Sequence, residues 1–533
     1  MLARVKSGAL QGVDAFIVEV EVDLAFGATA FITVGLPEIA VKESIFRVKA
    51  AVKNSGYPFP SGRVTINLAP ADVRKDGTGF DLPAALGILC AQGIVPQDGL
   101  EKHLLFGELS LDGRLKPTRG VLSMALAARD AGLALVIPPA NVREAGVVAG
   151  LDLYPVETLS QVVEFLSGRL NLLPAPPPPP EVQNPEPRFE VDFREVRGQE
   201  PVKRALLVAA AGGHNVLMVG PPGAGKTMLA QRLPSILPPL SFEEALETSK
   251  IYSIIGRLPA GQALITARPF RSPHHTISDA GLIGGGTTPR PGEVSLAHHG
   301  VLFLDELPEF RRSTLEVLRQ PLEEGRVTIS RALTSLTYPG RFMLVAAMNP
   351  CPCGFFGDPR QPCSCTPKQI HQYRAKISGP LLDRIDIQIQ VPAVKFQDLA
   401  DQESGDSSPA LRDRVVRTRE IQGRRFAKSS GVFANAHMTP RMLRQHCPLD
   451  QASQRLLEAA MERLGFSARA FHRILKIART IADLEAAPAL APAYVAEAIQ
   501  YRTMDRNLSL VTNYAAKETS VKYLRELIEP YRK

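Results

Sequence analysis

Apolar residues form short continuous runs in the middle of this chain and alternate with polar residues nearer its start. The continuous runs lie at residues 216–219, 301–304 and 342–348. Such runs predict strands buried on both faces of a parallel sheet. Before the proline-rich segment, residues 12–31 and 63–68 favour strands, whereas 81–90 and 121–131 favour amphipathic helices. The pattern predicts an α/β core preceded by a smaller α+β domain.

Two segments that disfavour regular structure divide the chain. Residues 174–180, PAPPPPP, predict a semi-rigid polyproline II spacer of about 20 Å. Residues 401–409, DQESGDSSP, predict a hinge before an almost wholly helical stretch. The predicted divisions are an N-terminal domain at 1–170, a linker at 171–190, the core at 191–398, a helical domain at 399–508 and an extension of unassigned role at 509–533.

Composition narrows the class of protein. Of the 533 residues 45% are hydrophobic, yet no apolar run approaches the roughly 18 residues of a membrane span. The start lacks an apolar signal segment, and only six cysteines occur, so we expect a cytoplasmic protein that does not bind membranes. The net charge of +8 favours a polyanionic partner, although weakly.

A glycine-rich segment, GPPGAGKT, follows the first buried run and opens onto a helix-forming stretch. This order of strand, glycine turn and helix predicts a loop that binds the phosphates of ATP, against the alternative of a turn that binds nothing. The glycines leave backbone N–H groups free, the lysine reaches the β and γ phosphates, and the threonine hydroxyl holds Mg²⁺. The residues assigned here are Gly220, Gly223, Gly225, Lys226 and Thr227.

Polar residues end the other two buried runs. Asp305 and Glu306 follow the second run, where Asp305 would complete the Mg²⁺ shell and Glu306 would polarise the attacking water. Asn349 follows the third run and could orient the same water, or simply cap the turn before Pro350. The three runs together predict ATP hydrolysis.

Four cysteines lie directly after Asn349 as two CxC pairs: Cys351, Cys353, Cys363 and Cys365. Four thiols in so short a cytosolic segment favour a tetrahedral Zn²⁺ site that ties down a loop. The CxC spacing is less typical than CxxC, so free thiols in a structured loop are the alternative. The histidine pairs at 274–275 and 298–299 are interpreted as hydrogen-bonding residues and not as metal ligands.

The chain resembles the ComM/YifB group of magnesium-chelatase-like AAA+ ATPases of bacteria over about residues 1–508. The segments that carry the resemblance are residues 196–227, 268–278, 291–310, 348–354 and 378–387. The resemblance implies an AAA+ core with a helical lid and a hexameric ring with ATP sites between subunits. In one branch of the group it implies DNA branch migration during natural transformation.

The resemblance also assigns roles to two arginines. Arg384, in LLDRID, matches the arginine that reaches into the neighbouring subunit's ATP site. The alternative is a local salt bridge with its neighbours Asp383 and Asp386. Arg469, in FSARAFHR, matches the lid arginine that senses the γ-phosphate, with the arginines at 473 and 479 as alternatives and a solvated helix surface as another.

Two insertions in the core are expected to project from it and to line a pore. One lies between Lys226 and Asp305, and the other is a pair of short β segments at 326–339. Arg331, Arg268 and Arg271 are the candidates for DNA backbone contacts without base reading, and packing between subunits is the alternative. The basic stretch at residues 411–428 fits either a DNA path or a solvated helix face.

The N-terminal domain resembles the proteolytic domain of Lon proteases, a ribosomal S5-like fold, through residues 75–86 and 107–141. That peptidase needs a serine nucleophile in the first segment and a lysine base in the second. Here residues 78–81 are TGFD, and Leu122 and Met124 stand where lysines would be. The resemblance therefore implies the fold without its peptidase activity.

The phosphate-loop residues predict an ATPase, and the family resemblance implies an ATP-driven hexameric DNA translocase or helicase that promotes branch migration. An ATPase motor of the metal-chelatase type that remodels a partner protein is the first alternative, and an ATP-switched scaffold is the second. We expect the chelatase subunit to lack both the Lon-like domain and the CxC pairs, so these features favour the translocase.

Overall fold

The computed structural model describes residues 2–75, 77–176, 189–259, 261–286, 289–330, 335–394, 405–429 and 431–502. Residue contacts divide the chain into two compact units. The first contains Met1–Glu186, Ser241–Thr266 and Ser330–Tyr338, and the second contains Pro187–Leu240, Ala267–Ile329 and Pro339–Lys533. Arg331 and the extension at 509–533 lie outside the described residues. Within the described residues, no helix is long and apolar enough to cross a membrane.

A mixed β-sheet forms the centre of the first unit. The strands are β1 (Leu2–Gln11), β2 (Asp14–Ala25), β3 (Ala30–Val34), β4 (Arg63–Ala69), β5 (His103–Leu105), β6 (Glu108–Leu109), β7 (Leu115–Lys116), β8 (Ala134–Ile137) and β9 (Leu153–Pro155). Within the described residues, the sheet has the order β3-β4-β2-β1-β5-β8-β9, and β6 pairs with β7 separately. The β1–β2 and β2–β4 pairs are antiparallel, and the other pairs of the main sheet are parallel.

Helices of the first unit pack on its sheet. Numbered along the whole chain, they are α1 (Ile39–Asn54), α2 (Asp81–Ala91), α3 (Gln97–Glu101), α4 (Val121–Asp130), α5 (Val142–Ala145), α6 (Leu159–Leu166) and α9 (Phe242–Ile254). Helix α2 packs on β1 and β2, and ten of its eleven residues are buried because the sequence DLPAALGILCA is apolar on nearly every side. Helices α2 and α4 are the two that the periodicity predicted.

Helix α9 comes from the segment between the glycine-rich loop and Asp305 but packs on α4 of the first unit. Ser241 and Glu244 form a capping box that starts it. Lys250 pairs with Asp14, and the Ser253 hydroxyl donates to Glu144, whose pKa is raised by burial. The predicted core at 191–398 is therefore discontinuous in its contacts, and the domain boundaries stay predictions.

A parallel sheet forms the centre of the second unit. Its strands are β10 (Val216–Val219), β11 (Phe270–Arg271), β14 (Val301–Leu304), β17 (Met343–Met348) and β18 (Ile387–Gln390). Within the described residues the order is β11-β14-β17-β10-β18. Strands β10, β14 and β17 are buried along their whole length, as their continuous apolar runs predict. The α/β class with a parallel sheet is confirmed.

Short paired strands and helices complete the second unit. Strand β12 (Gly284–Gly285) pairs with β13 (Arg290–Pro291). Strands β15 (Arg326–Ser330) and β16 (Ser335–Pro339) form a separate two-stranded sheet, and most of β16 is assigned to the first unit. The helices are α7 (Glu200–Gly212), α8 (Lys226–Arg232), α10 (Asp279–Ile283), α11 (Glu293–Leu296), α12 (Arg312–Glu316), α13 (Arg319–Glu324), α14 (Pro367–Arg374), α15 (Gly379–Leu382), α16 (Ser408–Phe426), α17 (Pro440–His446), α18 (Gln451–Leu464), α19 (Ala468–Leu484) and α20 (Pro492–Gln500). Helices α16 and α19 pack on α7, so the C-terminal helices share a hydrophobic core with the sheet.

Candidate functional site

The glycine-rich loop joins β10 to α8 with no intervening residues beyond the GPPGAG sequence. Gly223 and Gly225 have φ values of +73° and +82°, which favour glycine. At Gly220 a Cβ atom would lie 2.2 Å from the Val391 carbonyl oxygen, so only glycine fits there. Helix α8 begins at Lys226, and its free N–H groups face the loop. The turn that the sequence predicts as a phosphate loop is therefore preformed.

The Lys226 ammonium is buried inside the phosphate loop. It donates hydrogen bonds to the carbonyl oxygens of Gly220 at 2.7 Å and Pro221 at 2.9 Å. It also donates to Oδ1 of Asn349 at 3.1 Å, which brings the end of β17 onto the loop. Burial lowers the pKa of Lys226, against the opposing effect of the two carboxylates that follow β14. A phosphate chain would offer this cation the charged acceptors that it lacks in the loop.

Thr227 and the end of β14 form an oxygen-rich cluster. The Thr227 hydroxyl donates to Oδ2 of Asp305 at 2.6 Å, and the other oxygen of Asp305 accepts from the N–H of Glu306 at 2.9 Å. A hydroxyl and a carboxylate are hard oxygen ligands of the kind that Mg²⁺ prefers, so these residues fit that ion. The structure thus brings together Lys226, Thr227, Asp305 and Asn349 from three strand ends.

Glu306 occupies an unusual backbone conformation. Its φ of +52° lies in the left-handed region, which non-glycine residues seldom adopt and which is often found at functional sites. The side chain is 56% exposed, and its Oε2 lies 3.2 Å from Nδ1 of His275. The carboxylate is therefore accessible to water and has one ring nitrogen beside it.

Sequence reasoning did not connect His275 with Glu306, although it interpreted this histidine as a hydrogen-bonding residue. His275 follows β11, and β11 pairs in parallel with β14, which Glu306 follows. The carboxyl ends of parallel strands meet at one edge of the sheet. The signal that could have found the contact was the position of the HH pair shortly after a short strand.

The four predicted cysteines converge in space. The sulfur atoms of Cys351 and Cys353 are 3.3 Å apart, Cys353 and Cys363 are 3.5 Å apart, and Cys351 and Cys363 are 3.7 Å apart. All four thiols lie within 4.8 Å of one another. Sulfur atoms in a tetrahedral zinc site, with bonds of about 2.3 Å, are separated by about 3.8 Å. The cluster therefore fits a metal ion.

The surroundings of the thiols differ. A hydrogen bond from the backbone N–H of Phe355 is the main cause that lowers the pKa of Cys353 to about 5. Burial raises the pKa of Cys363 to about 12. The backbone N–H of Cys353 lies 3.4 Å from the sulfur of Cys365. Such N–H donors around sulfur atoms are common in the outer shell of metal–thiolate sites.

Arg384 is buried and bonded within its own unit. Its side chain is 9% exposed, forms an ion pair with Glu323 of α13, and donates to the Pro380 carbonyl oxygen at 2.6 Å. The local alternative named Asp383 and Asp386, but the partner is Glu323. Among the described residues, none of the hydrogen bonds or ion pairs of Arg384 involves the phosphate loop. Its role in a neighbouring site stays a prediction.

Three arginines on α19 have different surroundings. Arg479 is buried and pairs with Asp483 at 3.0 Å. Arg473 pairs with Asp386. Burial alone would raise the pKa of Asp386, but the charge of Arg473 and a hydrogen bond from His214 lower it below its usual value. Arg469 is 67% exposed and only 3.6 Å from Asp383. Of the three, Arg469 has a side chain that can reach a ligand without breaking a buried ion pair.

Two of the arginines considered for DNA contacts are engaged inside the second unit. Arg268 donates to the carbonyl oxygens of Pro238 and His299 at 2.6 and 2.7 Å. Arg271 forms a bidentate pair with Glu293 at 2.6 and 2.8 Å. These contacts do not support the DNA interpretation for either arginine, and the third candidate, Arg331, lies outside the described residues.

The basic stretch at residues 411–428 is largely α16, and three of its arginines bind protein groups. Arg412 donates to the Ser235 carbonyl oxygen, Arg419 to that of Ala210, and Arg425 pairs with Asp483. The remaining basic side chains are at least partly accessible. Three of the seven basic residues that suggested a DNA path therefore have a structural use.

Comparison with known proteins identifies the family of this site. A family model described as magnesium chelatase, subunit ChlI, matches residues 192–399, one described as subunit ChlI of Mg-chelatase matches 20–141, and a C-terminal model of that subunit matches 405–502. YifB of Salmonella typhimurium is 43% identical over 508 residues, which cover 95% of this chain and 98% of that protein. Competence protein ComM of Haemophilus influenzae is 43% identical over 516 residues, which cover 96% and 99%. The chain belongs to the ComM/YifB group of magnesium-chelatase-like proteins.

The ComM/YifB chain also has a partial match outside its group. Lon protease 2 of Bacillus subtilis is 32% identical over 157 residues, which cover 27% of each protein. In the first unit, a Cβ atom on Gly79 would lie 2.1 Å from the Phe106 ring, and Leu122 and Met124 are buried. Phe106 thus fills the space that a side chain at position 79 would need. The geometry gives no support for a peptidase site there.

These matches weaken the argument that the N-terminal domain distinguishes this chain from a chelatase subunit. A model described as subunit ChlI covers residues 20–141, so the N-terminal region does not distinguish this ComM/YifB chain from a chelatase subunit as we expected. The expectation that a chelatase subunit lacks the two CxC pairs stays a prediction.

Proposed function

We propose that this protein is an ATP-driven hexameric DNA translocase or helicase that promotes branch migration during natural transformation. The observation that carries the ATPase part is the convergence of Lys226, Thr227, Asp305 and Asn349 from three strand ends of one parallel sheet. The DNA part is supported by the 43% identity to a protein named competence protein ComM. We expect the ATPase and DNA activities to be carried out in the cytoplasm.

The residues of the site have distinct roles in this proposal. The backbone N–H groups of the loop and Lys226 bind the phosphates, and Thr227 and Asp305 would hold Mg²⁺, which neutralises phosphate charge when bound. Glu306 accepts the proton of the attacking water, and Asn349 orients that water. Arg384 completes the site of the neighbouring subunit, and Arg469 of the helical lid senses the γ-phosphate.

Two further features belong to the same proposal. The first unit supplies a Lon-protease-like, ribosomal S5-like domain without a catalytic dyad, which serves assembly or DNA handling. The four cysteines hold a structural Zn²⁺ ion, and the support for this is the spacing of their sulfur atoms. Measuring the zinc content of the purified protein tests whether the four cysteines bind zinc.

DNA engagement should be electrostatic and independent of sequence. Single-stranded and branched DNA should each stimulate ATP hydrolysis strongly, and the affinity for single strands should fall with salt by about 0.7 log units per log unit of salt for each phosphate contacted. Titrations of labelled DNA at several salt concentrations measure this slope. DNA that does not bind at low salt with ATP present would overturn the translocase proposal.

Replacing Arg331 by alanine tests one of the proposed contacts. We expect the salt slope to fall by nearly one phosphate contact per engaged subunit while basal ATP hydrolysis stays close to wild type. Arg63→Ala is a matched control, because Arg63 is an exposed arginine at the start of β4. An unchanged slope and affinity in Arg331→Ala would remove this arginine from the DNA path.

Which arginine of α19 senses the γ-phosphate can be tested by measuring protein stability and nucleotide binding separately for each variant. Arg473→Ala leaves the buried Asp386 without its guanidinium partner, so we expect a loss of about 3 kcal/mol in the free energy of unfolding. Arg469→Ala should change that free energy by less than about 0.5 kcal/mol yet weaken ATP binding. Denaturant unfolding and nucleotide titration measure the two effects, and normal nucleotide binding by Arg469→Ala would contradict its assignment.

A chelatase-type motor that remodels a partner protein is the second candidate, because all three chelatase-subunit models match this chain. The DNA titrations distinguish the two functions. ATP hydrolysis that DNA neither stimulates nor inhibits would favour the chelatase-type motor or an ATP-switched scaffold.

A further inference from the structure

The segment that carries the four cysteines packs directly against the phosphate loop. We call residues 351–365, between β17 and α14, the cysteine loop. Gly354 of this loop has a φ of +88°, and a Cβ atom there would lie 2.4 Å from Cδ and 2.7 Å from Cγ of Pro222. Pro222 is part of the phosphate loop, and its ring cannot rotate away as a flexible side chain would. The contact therefore depends on glycine at position 354.

The start of the cysteine loop is joined to the same site through Asn349. This residue accepts a hydrogen bond from Lys226 at 3.1 Å, and Cys351, two residues later, is completely buried. From α14, Arg374 donates to the Pro350 carbonyl oxygen at 3.0 Å and lies over the Phe356 ring at 5.2 Å. The first part of the cysteine loop is thus held close to the residues that bind phosphate.

The shape of the cysteine loop depends on links between its side chains. Residues 351–365 contain no helix or strand, so few backbone hydrogen bonds fix their path. The four thiols within 4.8 Å of one another are the groups that can close the loop. A metal bound by four thiolates fixes such a segment, because the free energy of metal binding is used to order the chain.

We propose that the metal held by the four cysteines sets the affinity of the phosphate loop for nucleotide. With zinc bound, the cysteine loop holds Gly354 against Pro222 and Asn349 against Lys226, so the phosphate loop is kept in its binding shape. Without the metal, the cysteine loop loses its shape and both contacts weaken. This inference rests on the proposed binding of ATP and adds a metal requirement to it.

The first test changes the contact and leaves the thiols in place. Gly354→Ala should keep one zinc per chain but bind a fluorescent ATP analogue at least about tenfold more weakly, because its Cβ atom displaces the cysteine loop from Pro222. Gly56→Ala is the control, since Gly56 has a similar φ of +84° but nothing within 4 Å of the added atom. Zinc content and nucleotide affinity are both measured for each variant.

The second test removes a ligand. Cys363→Ser should lose zinc and bind the analogue at least about tenfold more weakly, whereas Cys90→Ser, which changes a half-buried cysteine of the first unit, should alter neither property. Wild-type affinity in zinc-free Cys363→Ser, or in Gly354→Ala that keeps its zinc, would overturn the coupling. A wild-type protein that takes up no zinc would also overturn it, and a wild-type protein that binds no nucleotide would instead overturn the proposed function on which it rests.

Discussion

Replacing Glu306 by glutamine yields a protein that binds ATP and retains it unhydrolysed. Glutamine keeps the size and polarity of the side chain but cannot accept a proton from water, so we expect hydrolysis to fall by about 10² to 10⁴-fold. Lys226→Ala should instead lose ATP binding, because it removes the cation that the phosphate loop surrounds. Single-turnover hydrolysis and equilibrium binding of labelled ATP separate the two defects.

Glu309→Gln is the matched control for this prediction. Glu309 is a carboxylate three residues further along, and it pairs with Lys376 at 3.4 Å and not with the phosphate-loop residues. We expect its ATP hydrolysis to equal that of the wild type. If Glu306→Gln also hydrolyses ATP at the wild-type rate, Glu306 is not the base.

The second large effect is expected for Arg384→Ala, which should bind ATP normally and hydrolyse it about 10³-fold more slowly. Because the arginine is proposed to act in the neighbouring site, mixing this variant with Lys226→Ala subunits should restore part of the activity. At some interfaces of the mixed ring an intact phosphate loop would meet an intact arginine. ATP hydrolysis measured across mixing ratios gives the size of the rescue.

Arg384 is paired with Glu323 in its own unit, so it can act in a neighbouring site only if this ion pair breaks. To reach a neighbouring phosphate the guanidinium has to exchange this carboxylate for the phosphoryl oxygens. Glu323→Gln, which weakens the pair and keeps the arginine, should therefore retain hydrolysis in a way that Arg384→Ala does not. Absence of rescue in rings shown to be mixed would mean that Arg384 acts within its own subunit or only structurally.

The sequence predicted the parts of the site that depend on local patterns. Continuous apolar runs identified β10, β14 and β17, since short strands buried on both faces have such runs. The glycine spacing predicted the phosphate loop, because positive φ values at Gly223 and Gly225 require that residue. Asp305 could then be placed near Thr227, since parallel strands end at a common edge.

Contacts set by packing could not be predicted in the same way. The ion pair between Arg384 and Glu323 joins residues 61 positions apart, and no local pattern selects Glu323 among the acidic residues nearby. The contact of His275 with Glu306 depends on β11, whose two residues are too few for a hydrophobic pattern. The packing of α9 on α4 was missed because α9 lies inside the insertion that was expected to project from the core, and no local pattern in its sequence selects the first unit.

The assignment of α9 to the first unit has a consequence for how this protein can vary in evolution. The first unit is built from chain segments on both sides of the phosphate loop, so a single exchange of gene segments at the proline-rich linker cannot transfer it whole. A transferred Met1–Glu186 segment would leave Glu144 without Ser253 and Asp14 without Lys250. Substitutions at Ser253 or Lys250 would likewise remove a contact of Glu144 or Asp14, which lie 109 and 236 positions earlier in the chain.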